Sequence, residues 1–146
     1  MAPGAITQIL DNAIFMSSHL NGCDLQSVTI AVLLDLGIPT QKAGFEYLKI
    51  AIVRFAEEPG GAFSEGVYQR VAGHYAMKLT HSQIEQAIRS VIGDAWKNRD
   101  GERWCGYFPQ DRVEMRKQPS NLEFITRIGY FLELCQGCCR EVSYVS

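Results

Sequence analysis

The stretch "LTHSQIEQAIRSVIGDAWKN" (79–98) decides how the chain is read. Ile84, Ala87, Ile88, Val91, Ile92 and Ala95 recur at the period of one helical face. Thr80 is a strong N-cap residue, and Gln83 three positions on completes the pattern of a capping box. The opposite face offers Ser82, Gln83, Glu85, Gln86, Arg89 and Ser90. Upstream, residues 63–77 predict a helix with Val67, Val71 and Tyr75 inward, leaving only Lys78 and Leu79 as a connection. Helix, short turn, helix is the order of a helix-turn-helix, whose second helix enters the major groove of duplex DNA.

That groove is about 12 Å wide and accepts one helix. Arginine can pair with guanine there, glutamine with adenine, and glutamate can accept from cytosine. Gln83, Glu85, Gln86, Arg89 and Ser90 are therefore the candidate base readers. Free N–H groups of a first helical turn can hold a phosphate, so His81 and Ser82 are candidate phosphate contacts. Lys78, Lys97, Arg99, Arg116 and Lys117 join them as nearby cations. A solvated helix pair also presents a polar outer face, so the pattern alone leaves both readings standing.

Working outward, residues 5–19 place Ile6, Ile9, Leu10, Ala13 and Ile14 on one helical face. "LQSVTIAVLLDLG" (25–37) is apolar nearly all round and predicts a mostly buried helix. Gly37 suits the position just past its end, and Pro39 reinforces the stop. Thr40 can cap the next helix, with Phe45, Leu48, Ile52 and Phe55 inward, ending at Pro59-Gly60-Gly61. Residues 97–121 show no helical period and read as a long connection. In it Arg103, Arg112 and Arg116 stand among Trp104, Tyr107 and Phe108, a mixture that can grip phosphates or simply be a solvated loop. Ser120 or Asn121 caps a last helix with Phe124, Ile128, Phe131 and Leu132 inward. The expected class is all-α, about six helices around a helix-turn-helix.

With 146 residues and 47% hydrophobic side chains, the chain can bury the core of one domain. No apolar run is long enough for a membrane span, and no secretion signal is visible, so the expected location is the cytoplasm. Five cysteines, an odd number, suit reduced thiols. Net charge is −2, but its distribution is uneven. Residues 1–65 hold three Lys/Arg against seven Asp/Glu, residues 66–127 ten against seven, and residues 128–146 one against two. The helix-turn-helix region is thus the basic part, compatible with a phosphate-binding surface.

Other motifs are poorer. "CQGCC" (135–139) can supply two zinc ligands, but a structural site needs four and no second such pair exists. "PGGAFSEG" (59–66) lacks the Gly-Lys-Ser/Thr ending of a phosphate loop. His19, His74 and His81 sit in no nucleophile or metal motif, and Glu57-Glu58 reads as a surface pair. No catalytic site, metal or cofactor is expected.

Residues 28–134 resemble the C-terminal effector domain of the stage-zero sporulation response regulator A family, transcription factors of endospore formation. The resemblance runs in order through "LLDLGIPTQKAGFEYLKIAI" (33–52), "VYQRVAGHY" (67–75), "THSQIEQAIRSVIGDAW" (80–96), "GYF" (106–108) and "QPSNLEFI" (118–125). It implies a six-helix effector domain of the winged-helix-like superfamily that binds promoter DNA, with tandem protomers or a homodimer on one operator. Ser82, Glu85 and Arg89 match the family's recognition face, whereas Gln83, Gln86 and Ser90 stand where the family usually has Arg, Arg and His. Family members carry an upstream receiver domain, which residues 1–27 are too short to hold. The expected organisation is an N-terminal helix and linker (1–24), the effector-like domain (25–135) and a C-terminal tail (136–146). Two functions follow: a sequence-specific DNA-binding regulator, or a protein-interaction module that keeps the effector fold without binding DNA.

Overall fold

The computed structural model of the chain describes residues 4–19, 24–57, 63–75, 78–108 and 117–145. Among them are seven helices and no strand: α1 (Gly4–His19), α2 (Leu25–Asp35), α3 (Ala43–Glu57), α4 (Phe63–His74), α5 (His81–Lys97), α6 (Gly101–Trp104) and α7 (Asn121–Val145). The all-α class holds, with one short helix more than the sequence predicts.

Capping chemistry sets several boundaries. The Asp24 carboxylate accepts from the Ser27 backbone N–H at 3.2 Å and from its hydroxyl at 2.9 Å, starting α2. At the other end Gly37 adopts φ +83°. Its N–H donates to Leu34 O at 3.1 Å, and the Ile38 N–H donates to Leu33 O at 3.0 Å. These two bonds make a Schellman motif, closed by the buried side chains of Leu33 and Ile38. The expected role of Gly37 is thereby realised. α3 begins at Ala43, so Thr40 falls in the preceding turn instead of at its cap. α7 starts on a second capping box: the Glu123 N–H donates to Ser120 Oγ at 3.1 Å, and the Ser120 N–H donates to Glu123 Oε1 at 3.3 Å. Ser120 is the cap.

α3 is the central helix. It packs against α2, α4, α5 and α7. Phe45, Leu48, Ile52 and Phe55 point inward as their spacing predicts, and so do Phe124, Ile128, Phe131 and Leu132 of α7. α7 runs on through Val145, so most of the expected tail from 136 is helix.

Two expectations change. α1 lies against α7, but its buried face is Ala13, Met16 and Ser17 beside a half-buried Ile9. Leu10 and Ile14, expected on the inner stripe, are 42% and 49% exposed. The Ser17 hydroxyl donates between the carbonyls of Ala13 (2.7 Å) and Cys135 (2.9 Å), which turns that side of α1 inward. The segment after α5 is not an open loop at its start. Asp100 caps α6, and Trp104, Tyr107 and Phe108 enter the core. Trp104 stacks on Phe108 at 5.2 Å, meets Trp96 edge-on at 5.4 Å, and donates its indole N–H to Leu36 O at 3.2 Å. These aromatics are core residues, not phosphate grips.

Candidate DNA-recognition surface

α5 is fixed from behind, beneath and both ends. Ile84, Ile88, Val91, Ile92 and Ala95 are buried in the core that α5 shares with α3, α4 and α7. A Cβ added at Gly44 of α3 would overlap the Ala87 carbonyl oxygen and come within 2.9 Å of Val91 Cγ1. The two helices therefore cross backbone to backbone at a point where only glycine fits. At the far end the Lys42 ammonium pairs with Asp94, tying the start of α3 to the last turns of α5.

The N-terminus is set by the capping box. The Gln83 N–H donates to Thr80 Oγ1 at 3.1 Å, and the Thr80 N–H donates to Gln83 Oε1 at 2.9 Å. The first helical bond is that of the Ile84 N–H to Thr80 O, at 3.2 Å. The amide groups of His81 and Ser82 precede it, in the position from which a helix can hold an anion.

α4 ends earlier than expected. The Tyr75 N–H bonds back three residues to Ala72 O at 3.2 Å, a tightened last turn after Gly73, which is weak in helices. Residues 75–80 thus separate α4 from α5. Residues 76 and 77, the expected end of that helix, lie outside the described residues.

Ser82, Glu85, Gln86, Arg89 and Ser90 are all exposed. At 3.6 residues per turn they span an arc of roughly 140° on one side of the helix. Arg89 Nη2 lies 4.0 Å from Glu85 Oε1, with the two side chains 67% and 48% exposed. An exposed pair at that distance contributes little, so either group is free to take another partner. Gln83 is also exposed, but its carbonyl oxygen belongs to the cap, which leaves only its NH₂ group to offer. His81 is exposed beside the Tyr68 ring, 6.4 Å between centroids. Burial, together with the nearby Glu85 carboxylate, raises the Tyr68 phenol above its ordinary value, so it stays neutral.

The expected phosphate contacts divide. Lys78, Lys97 and Lys117 are exposed. Arg99 is folded back: its guanidinium lies 3.7 Å above the Trp96 ring and donates to Trp96 O at 2.8 Å. Arg103 pairs with Asp35 at 3.3 Å. Arg112 and Arg116 lie outside the described residues.

Two residues whose contact with α5 sequence reasoning does not foresee touch that helix directly. Asn121 Nδ2 donates to Glu85 O at 3.0 Å and to the Tyr68 hydroxyl at 3.2 Å. Gln118 Nε2 donates to Arg89 O at 3.3 Å. Neither has a periodic signal: Gln118 precedes the buried Pro119, and Asn121 is the first residue of α7.

Among the described residues no three His, Cys, Asp or Glu side chains gather as metal ligands, and no helix is long and apolar enough to cross a membrane. Cys135 is buried at the α1 contact; the side chains of Cys138 and Cys139 lie outside the described ones.

Residues 29–131 match the family described as sporulation initiation factor Spo0A C terminal, well over half of the chain. The match takes in α3, the α4–α5 pair and the first turns of α7, the elements that hold the exposed face of α5 in place. The chain belongs to this family of DNA-binding effector domains of sporulation regulators.

Proposed function

We propose that the chain is a sequence-specific transcription regulator that lays α5 in the major groove of promoter DNA. The observation that carries this reading is the outer face of α5. Its reading side chains are exposed, while its inner face is locked by the core and by the glycine contact with α3. Arg89 is the principal base reader, with Glu85 and Gln86 beside it, Ser90 at the edge and the Gln83 amide in support. Lys78, His81, Ser82, Lys97, Arg116 and Lys117 hold phosphates, and Arg99 does so only by leaving Trp96. The domain binds as tandem protomers or as a homodimer on one operator.

Selection of preferred duplexes from a random pool, followed by salt titration on the selected site, tests this. A defined sequence and an affinity that steepens as salt falls are expected. Absence of binding at about 50 mM salt, where even a few phosphate contacts register, would leave the second reading, a protein-interaction module. That reading is favoured by one observation: Leu10, Ile14 and Phe15 stand exposed on α1.

A further inference from the structure

The segment that leads into α7 bonds to α5 beside its reading face. Asn121 donates to the carbonyl of Glu85, and Gln118 to the carbonyl of Arg89, one helical turn further on. These are the two residues whose side chains form the 4.0 Å pair on the outer face. A Cβ at Gly93, a further turn along, would sit 3.1 Å from Gln118 Oε1. The segment 118–121 therefore follows α5 over three successive turns, at residues 85, 89 and 93. Its hydrogen bonds to α5 go to backbone carbonyls, its third approach is to a glycine, and the reading side chains stay exposed.

Asn121 shows a further sign of a specific task. It is 5% exposed, both of its N–H groups are spent, and its Oδ1 meets no hydrogen-bond donor among the described residues. Turning the amide over would set that oxygen against the Glu85 carbonyl, so the orientation is fixed by α5. Leaving a buried oxygen unpaired costs stability. A leucine would fill the same place without that cost, but it would not hold α5 by its backbone.

We infer that Gln118 and Asn121 form a neutral strap that sets the rotation of α5 about its own axis, and hence the aim of Arg89 and Glu85 at base edges. Both are positioning residues, since neither side chain is on the outer face of α5. The inference rests on the proposal that α5 enters the groove. Without the strap α5 keeps its buried stripe and its cap, but the angle of its outer face is held less tightly. Direct readout suffers from such slack, because bidentate pairing needs both partners aligned, whereas phosphate contacts tolerate it.

The test uses the full chain and the duplex chosen by pool selection, with single-base variants of that duplex as competitors. Gln118→Ala and Asn121→Ala are expected to lower discrimination between the selected and altered duplexes by roughly tenfold, the scale of one bidentate pair. The salt dependence should stay unchanged, because no charge is removed. Tyr68→Phe keeps the Asn121 bond to Glu85 and should keep discrimination. Ser17→Ala, which removes a buried hydrogen bond between α1 and α7, shows how far binding follows stability alone. If Asn121→Ala does not fold, Gln118→Ala carries the measurement. Full discrimination in the strap variants overturns the strap while the groove proposal stands. So does a loss that merely tracks melting temperature as Ser17→Ala does. A wild-type chain that binds no duplex overturns both.

Discussion

If α5 enters the groove as proposed, Arg89 is the side chain that carries most of the base reading. Its side chain is two-thirds exposed, and among the described residues its ion-pair partner is Glu85 at 4.0 Å. Arg89→Ala should therefore leave the melting temperature almost unmoved. It should cost about 1–3 kcal/mol of discrimination at one base position, measured by competition between selected and altered duplexes. An unchanged site preference would remove Arg89 from its role. Tyr107 is the opposite kind of residue, buried and invisible to any ligand. Burial, reinforced by its hydrogen bond to Asp35 at 2.6 Å, raises its phenol far above the ordinary value of 10.0. Above that value an unfolded chain sheds a proton that the folded chain keeps, so stability falls as pH rises beyond about 10. Tyr75 and Tyr68, also raised by burial, act in the same direction. Chemical denaturation at a series of alkaline pH values should show that fall, and Tyr107→Phe should make it shallower. At this scale the sequence was legible for exposed polar groups on a periodic helix. It offered Asn121 only as a possible cap and gave Gln118 no role, because the work of both depends on which carbonyls lie nearby in space.

Among the elements, α5 was readable because its period, cap and outer face agree, and consistency between levels is what makes a segment's structure legible. α1 was readable as a helix but not in its orientation. Leu10 and Ile14 fit an apolar stripe, yet the partner helix offers a carbonyl to Ser17, and that hydrogen bond sits on the buried side. α6 left no period to find, because a one-turn helix is shorter than the pattern that would reveal it. Its aromatic neighbours looked like nucleic-acid contacts only because burial is not written in a residue's type. α3 and α5 meet backbone to backbone at Gly44. Gly44→Ala should force them apart and cost about 1–3 kcal/mol, seen as a drop in melting temperature. DNA discrimination should fall with it, since the displaced helix is the proposed reader.

For the whole molecule, charge decides the strength of any grip on DNA. The chain carries net −2, so an electrostatic attraction arises only from its basic middle. Five cations are among the proposed phosphate contacts: Lys78, Lys97, Arg99, Arg116 and Lys117. A log–log plot of affinity against salt should then have a slope no steeper than about −4.5 for each protomer, at roughly 0.9 per neutralised phosphate. A steeper slope would mean that other cations take part. The uneven charge was legible from composition; the withdrawal of Arg99 onto Trp96 was not, because it is a contact between side chains.

The contact between α1 and α7 has a practical corollary. The family match covers 29–131, yet the buried set also includes Ala13, Met16, Ser17 and Val28 before it, and Leu132 and Cys135 after it. Asn12 further ties α1 to the Gly106 carbonyl at 2.9 Å. The unit of recognition by kinship and the unit of cooperative folding are therefore different lengths of chain. A fragment trimmed to the matched borders would bare the Tyr107–Phe131 contact to solvent on the side that α1 now shields.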